Sequence, residues 1–361
     1  MQDIKSKGEA RLMKGNEALA EAAIRAGIDA YFGYPITPQS EILEYLTAEM
    51  PHRGGKVLQA ESEVASINMI YGAAGAGARV MTSSSSPGIS LMQEGISYIA
   101  AAELPCLIVN VNRGGPGLGT IQPAQGDYFQ AVKGGGHGDY HLIVLAPASV
   151  QEMADFVFDA FKLAEKYRNP VMILADGALG QMMERVVLPE EGSLPKSTPE
   201  WATTGKVNRA RNIITSLHLQ SEKMEEINLH LQEKYKRIEE EIRFELIGSE
   251  NPDVLLVAYG LSARICQKTL ELADQKNINA ALLRPITLYP FPYKAVAKAS
   301  ADAQFILVVE MNAGQMIEDV KLSVNGKLPV YHKGRMGGVI PSPDEILSEI
   351  ESILQKQNAA V

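Results

Sequence analysis

A chain of 361 residues, 46% of them hydrophobic, can bury a full core and has the length of two domains or one large one, which excludes a disordered protein. Its formal net charge of −9 repels polyphosphate backbones, and no basic stripe offsets it, so nucleic acid is excluded as an expected partner. The only two cysteines, Cys106 and Cys266, are far apart with no C-x-x-C, so neither an iron–sulfur cluster nor a zinc site can be built from cysteine within this chain.

The first residues, MQDIKSKGEARLMKG, are charged and lack an apolar core. No run approaches the roughly 18 apolar residues of a membrane span, and the expected location is the cytoplasm. From residue 15 to 187, short β-branched runs alternate with segments whose apolar residues recur at helical spacing. The predicted strands are AYFGY (30–34), KVLQAE (56–61), RVMTSS (79–84), CLIVNV (106–111), HLIVLA (141–146) and VMILAD (171–176). The predicted helices are 15–27, 38–50, 62–77, 87–102 and 149–166, with Asn16, Ser86 and Ser149 as caps of the first, fourth and fifth. Near-continuous apolar strands separated by helices predict an α/β fold with a doubly wound, mostly parallel sheet.

Residues 188–250 change character. LPEEGSLPKSTPEWATTG is rich in turn formers, and 219–246 carries Met224, Ile227, Leu231, Tyr235, Ile238 and Ile242 at spacings of three and four on a charged background. That pattern is one apolar stripe on a solvated helix, with a coiled-coil partner as the alternative. A second α/β unit follows, with DVLLVAYG, a helix from about 262, INAALLRP, a proline-rich turn, a helix from 294 and FILVVE (305–310).

Ligands of an open parallel sheet bind beyond the carboxyl ends of its strands, so the segments that follow the first four strands belong together. After the first comes YPITP, where Pro35 and Pro38 stop the strand and hold Tyr34 and Thr37 in a fixed turn. After the second comes AESE, with Ser62 a cap and Glu63 at the head of a helix of small residues (Ala65, Ser66, Gly72 to Ala78) that permits close approach of another helix or a flat ligand. A glutamate there is either macrodipole compensation or a desolvated acid–base group. SSSSPG is a plain turn or an anion-binding concavity. NRGGPGLGT brings Arg113 into a glycine-rich loop that fits neither nucleotide fingerprint, and its planar fork suits a carboxylate. His137, in GGGHG, is a solvated loop histidine or a proton carrier.

Together GNEALAEAAIRAG, GYPITPQSEI, QAESEVASINMIYGAAGAGARVMTSSSSPGISLMQEGI, ELPCLIVNVNRGGPG and QGDYFQA resemble the α subunit of 2-oxoacid:ferredoxin oxidoreductases. The resemblance implies a thiamine-pyrimidine domain over 10–187, a linker with a long charged helix over 188–250, and a transketolase C-terminal-like domain over 251–361, marked by GLSAR, LLRPITLYPFP and VVEMNAGQ. It assigns Glu63 to the aminopyrimidine N1′ of thiamine diphosphate and to catalysis. Thr37 and Arg113 take the oxo and carboxylate oxygens of a 2-oxoacid, Tyr34 lines the pocket, and Ser86 and Gly88 join Glu63 at the cofactor; no metal ligand falls on this chain.

The implied reaction is CoA-dependent oxidative decarboxylation to acyl-CoA, CO2 and reduced ferredoxin. Its diphosphate–Mg2+ motif, GDG with a later Asn, is missing, with ADG (175–177) the nearest approach. Expected partners are therefore a β subunit for diphosphate and Mg2+, a ferredoxin-like δ subunit for 4Fe–4S clusters and a separate γ subunit, within a dimer of the heteromeric unit. SSSSPGISLMQEGISYI and RGGPGLGTIQPAQGDY look like the 3-methyl-2-oxobutanoate type, with 2-oxoglutarate as the alternative substrate. A non-catalytic assembly subunit, a non-oxidative thiamine-dependent enzyme and, last, a nicotinamide dehydrogenase are the rival readings.

Overall fold

The computed structural model describes residues 9–359; the charged residues 1–8 read for targeting, and residues 360–361 at the end of the second α/β unit, lie outside them. Strand β1 (Glu9–Lys14) leads into α1 (Gly15–Arg25), β2 (Ala30–Gly33), α2 (Ser40–Glu49), β3 (Lys56–Gln59), α3 (Glu63–Gly75), β4 (Val80–Ser84) and α4 (Ser86–Ala101). Then come β5 (Cys106–Asn112), α5 (Tyr128–Val132), β6 (Ile143–Leu145), α6 (Val150–Tyr167), β7 (Pro170–Asp176), α7 (Gly177–Gln181) and β8 (Met183–Leu188). Residues 189–220 form no helix or strand. The chain continues through α8 (Ser221–Ile238), β9 (Phe244–Gly248), β10 (Val254–Val257), α9 (Gly260–Gln275), β11 (Ala280–Pro285), β12 (Thr287–Tyr289) and α10 (Tyr293–Ala299). It ends with β13 (Phe305–Glu310), α11 (Met316–Val324), β14 (Val330–Gly334) and α12 (Pro343–Ala359).

The first sheet has the order β12-β6-β7-β5-β4-β2-β3 and is parallel except for β12. Strands β4, β5 and β7 are buried along their whole length, as their unbroken apolar runs require of strands covered on both faces. From β2 the chain moves out to β3 and then crosses back to β4, so β2 and β4 flank the switch point. Helices α1, α2 and α6 enclose one core, with Leu19, Leu46 and Phe161, and α3 and α4 enclose the other, with Ile67 and Ile96. A crevice therefore opens at the carboxyl ends of β2 and β4.

The second sheet, β14-β13-β10-β11-β9, is parallel except for β9. The two sheets share a core, since Ile108 and Val144 of the first cluster with Leu283 and Val308 of the second. They also interlock: β12, read from sequence as part of a proline-rich turn, pairs with β6 on the edge of the first sheet, and β9, inside the segment read as linker, pairs with β11. Among the described residues no helix is long and apolar enough to cross a membrane.

Four local expectations are corrected. Asn16 does not cap α1; it is buried inside the first turn and donates through Nδ2 to Pro38 O (2.8 Å) and Glu41 Oε2 (2.9 Å), because tertiary partners outbid the local cap. Ser86 is the first residue of α4, whose cap position is Ser85. Pro38 precedes α2, which starts at Ser40, and the Thr37–Pro38 peptide is cis. The charged helix, α8, is shorter than the 219–246 read from sequence and ends before Ile242, while its single apolar stripe is as expected, with Leu231, Tyr235 and Ile238 in the core of the first sheet.

Candidate active site

Ser62 is extended, and its Oγ accepts from the Ala65 N–H (3.2 Å), so α3 starts at Glu63 and carries that carboxylate in its first turn. The side chain is only 5% exposed. It lies against the first turn of α4 at Gly88, where an added Cβ would stand 2.4 Å from Glu63 Oε1 and 2.0 Å from Ser84 Oγ. Any residue with a side chain at 88 would displace the carboxylate. Among the described residues Glu63 has neither an ion pair nor a side-chain hydrogen bond. The hydroxyls of Ser84 and Ser85 at the end of β4, and Nδ2 of Asn112 at the end of β5, are buried without partners as well. Buried polar groups are nearly always hydrogen-bonded, which sets these atoms apart. It is a glycine of α4 that lets the two helices approach, since a Cβ on Gly95 would meet Ile67 of α3 at 2.5 Å, while Gly72 and Gly75 of α3 have no such close contact.

Arg113 follows β5, beside β4, and spans the crevice. Its Nη1 donates to Thr37 O (2.9 Å) and its Nη2 to Leu118 O (3.0 Å), while Nε is buried and unpaired. Each terminal nitrogen keeps a second N–H. Ser86 Oγ accepts from the Arg113 N–H (3.0 Å) and donates toward Asn112 Oδ1 and Arg113 O (both 3.2 Å), which ties the start of α4 to the strand end. Thr37 is exposed. Its turn is held from below, where Gln39 Nε2 donates to Tyr34 O (3.2 Å), Ser83 Oγ donates to Gln39 Oε1 (2.6 Å) and the Tyr31 hydroxyl meets Ser83 Oγ (2.7 Å).

Thr37, Glu63, Ser86, Gly88 and Arg113 are thus brought to one crevice, and Tyr34 is half-buried at its edge. His137 is not: it is exposed and stacks edge-on with Tyr98, ten residues and about 15 Å along α4 from Gly88. Asp176, the acid of the ADG stretch, caps α7 by accepting from Ala178 N–H (2.9 Å) and Leu179 N–H (3.1 Å); burial pushes its pKa up to about 6. Two residues at the crevice received no role from sequence. Gln39 belongs to the chain of hydrogen bonds under the YPITP turn. Asp127 accepts on Oδ2 from Asn110 Nδ2 (2.9 Å), and burial raises its pKa. The QGDY stretch was the available signal for Asp127.

Comparison with known proteins bears on this crevice. Residues 21–245 match the family described as pyruvate flavodoxin/ferredoxin oxidoreductase, thiamine diphosphate-binding, and residues 252–346 match pyruvate:ferredoxin oxidoreductase core domain II. The chain belongs to the 2-oxoacid:ferredoxin oxidoreductase family. It is 50% identical over 344 residues to the ketoisovalerate oxidoreductase subunit VorB of Methanothermobacter thermautotrophicus, covering 95% of this chain and 97% of that protein. It is 41% identical to the 2-oxoglutarate synthase subunit KorA of Archaeoglobus fulgidus, over 87% and 91% of the two chains. The solved 2-oxoglutarate:ferredoxin oxidoreductase from Magnetococcus marinus superposes with a TM-score of 0.85 at 27% identity, over 96% of this chain and 65% of that one. A split-gene transketolase, at TM-score 0.60 and 13% identity, shares the fold. The two-domain α/β architecture and the thiamine diphosphate-binding domain expected from sequence agree with these matches.

Proposed function

We propose that this chain is the α subunit of a 2-oxoacid:ferredoxin oxidoreductase that, with partner subunits, converts a 2-oxoacid, CoA and oxidised ferredoxin to acyl-CoA, CO2 and reduced ferredoxin. The observation that carries the proposal is Glu63, a buried carboxylate without an internal partner, held against Gly88 in the crevice that also holds Arg113 and Thr37. Glu63 would hold the aminopyrimidine of thiamine diphosphate at N1′, where a carboxylate shielded from water can pass a proton to and from the ring. The unpaired hydroxyl of Ser84, which meets Glu63 across Gly88, fits such a polar ring. When bound, thiamine diphosphate supplies the nucleophilic carbon and the electron sink for loss of CO2.

Arg113 aims the free N–H of each terminal nitrogen at the substrate carboxylate, and the two carbonyls that hold the guanidinium fix its fork before substrate arrives. Thr37 offers its exposed hydroxyl to the 2-oxo oxygen, with its carbonyl fixed by the same arginine. Tyr34 lines the pocket at the edge of the turn. Ser86 acts through the backbone of Arg113, joining the cofactor side of the crevice to the substrate side. Cys106 and Cys266 are both buried in separate cores, so the electron-transfer clusters belong to a ferredoxin-like δ subunit. The diphosphate and Mg2+ belong to a β subunit, a γ subunit completes the complex, and its location is the cytoplasm.

The substrate we assign is 3-methyl-2-oxobutanoate, supported by the 50% identity to a ketoisovalerate oxidoreductase subunit against 41% to a 2-oxoglutarate synthase subunit. The test is anaerobic, CoA-dependent reduction of a viologen dye by the co-expressed complex, with 3-methyl-2-oxobutanoate, 2-oxoglutarate, pyruvate and an aryl 2-oxoacid. A kcat/KM highest for the branched acid supports the assignment, and one highest for 2-oxoglutarate replaces it. Silence across the panel, from a complex that contains thiamine diphosphate and clusters, points to a non-catalytic subunit.

A further inference from the structure

The second sheet has its own switch point. From β10 the chain moves to β11 on one side and later to β13 on the other, so the crevice beyond the carboxyl ends of β10 and β13 is where a doubly wound sheet ordinarily takes a ligand. Here the first domain fills it with Gln125. That side chain is 3% exposed, and both of its ends are satisfied by the second domain. Nε2 donates to Tyr259 O (2.9 Å), and Oε1 accepts from Ser262 Oγ (2.7 Å) and the Met311 N–H (3.0 Å). The backbone joins in, with Gln125 N–H donating to Met311 O (3.0 Å) and Gln125 O accepting from Asn312 Nδ2 (2.7 Å) and the Tyr259 hydroxyl (3.3 Å).

Gln125 stands at the foot of the loop that carries Arg113. That loop is a hairpin: Arg113 forms an antiparallel bridge with Pro123, Gly114 N–H donates to Gln122 O (2.9 Å), and Thr120 N–H donates to Gly114 O (2.8 Å). The second domain presses on the same hairpin from another side. A Cβ on Gly114 would lie 2.9 Å from Gly337 C, and one on Gly338, whose φ is +94°, would lie 2.4 Å from Gln122 Cβ. The guanidinium itself is held by Leu118 O, at the hairpin tip.

We propose that Gln125 is a positioning residue for substrate: seated in the switch-point crevice of the second sheet, it fixes the return arm of the hairpin and with it the angle at which Arg113 meets the 2-oxoacid carboxylate. This rests on the reading of Arg113 given above. The second domain then has a stated job, which is to set the substrate grip of the first, and Gln125 does so without touching substrate.

The test uses the co-expressed complex and whichever acid of the panel it turns over. Gln125→Ala should raise KM about tenfold, the equivalent of one or two lost hydrogen bonds, with kcat within about threefold of wild type. Ser262→Ala removes one hydrogen bond to Oε1 and should raise KM about two- to threefold; it carries the test if Gln125→Ala does not assemble. Amides of 113–124 should exchange faster in either variant while those of β5 do not change. The decisive arm is a double-mutant cycle: in an Arg113→Ala background, Gln125→Ala should add nothing to KM, because no guanidinium remains to be aimed. An additive effect, or an unchanged KM in both Gln125→Ala and Ser262→Ala while Arg113→Ala raises it, overturns the positioning role and leaves the reading of Arg113 intact. An unchanged KM in Arg113→Ala removes that reading and the proposal together.

Discussion

Two glutamates of the first domain, Glu21 on α1 and Glu63 on α3, are buried to nearly the same degree and live opposite lives. Glu21, 0% exposed, is surrounded: Arg25 Nε donates at 2.8 Å, Arg53 Nη1 at 3.0 and 3.2 Å, Arg11 Nη1 approaches at 3.5 Å, and the Tyr45 hydroxyl donates at 3.2 Å. Among the described residues Glu63 has Gly88 and the unpaired Ser84 hydroxyl beside it and no cation. A buried charge persists only if it is compensated; for Glu21 the chain itself supplies the compensation, and for Glu63 the proposed function supplies it from the aminopyrimidine of thiamine diphosphate. Burial alone would have ranked them as equals; the inventory of partners separates them.

That contrast predicts two variants with opposite phenotypes. Glu63→Gln in the co-expressed complex should lower kcat by about a thousandfold or more while thermal unfolding is unchanged, since the amide keeps the shape of the side chain. Glu21→Ala should do the reverse. It leaves three guanidinium groups without their shared acceptor and should cost about 3–5 kcal/mol of stability, read by thermal or denaturant unfolding, with the activity of any folded fraction retained. Near-normal turnover by Glu63→Gln would end the proton-relay assignment.

The next two variants sharpen the bare side of the comparison. Arg113→Ala should raise KM for the 2-oxoacid about ten- to a hundredfold, and Arg113→Lys should restore little, because an ammonium cannot satisfy Thr37 O, Leu118 O and a carboxylate from one planar fork. An unchanged KM in Arg113→Ala would take Arg113 out of the pocket. Gly88→Ala adds a Cβ where Glu63 Oε1 stands 2.4 Å away, so the carboxylate must move while α4 gains up to about 1 kcal/mol of helix propensity. Activity falling about tenfold at near-constant stability is the expected result, with weaker thiamine diphosphate retention on dialysis. A fully active Gly88→Ala would mean that the carboxylate is freer than its packing implies.

How much of this was legible in the sequence follows from where the information lies. The unbroken apolar runs of β5 and β7, and the caps of Ser62 and Ser149, which accept from Ala65 and Glu152 N–H, are local signals and were read as such. Strands β9 and β12 lie in stretches read as a charged linker and a proline-rich turn, and each takes its identity from the sheet it joins. Asn16 carried the local mark of a cap, yet its amide was claimed by Pro38 and Glu41 across the fold. Gln125 gave no local signal, since nothing in PAQGDY says that its side chain enters the other domain. Thr37, Glu63 and Arg113 were candidates from the joined strand-end motifs, with roles that came from the family resemblance, and their proximity depends on β5, β4, β2 and β3 lying side by side.

A third buried charge falls between the two glutamates. Lys234 of α8 is 1% exposed, donates to Arg168 O (3.2 Å) and lies 3.3 Å from Glu103 Oε1. Burial pulls its pKa down to about 8, with Glu103 opposing the shift. A lysine whose folded pKa lies below its unfolded one contributes stability that is present above the unfolded value and lost as pH falls through the folded one, so at pH 7 the charged lysine opposes docking of α8. Lys234→Met keeps the length of the side chain and discards the charge. It should stabilise the protein by about 1–3 kcal/mol at pH 7, and the gain should shrink toward zero by pH 10, measured by thermal unfolding at the two values. Glu103 is left with His230 (3.1 Å) and solvent, so little of that gain is returned. If Lys234→Met loses stability at pH 7, the pair with Glu103 outweighs the burial, and Lys234 joins Glu21 among the charges that the fold has compensated.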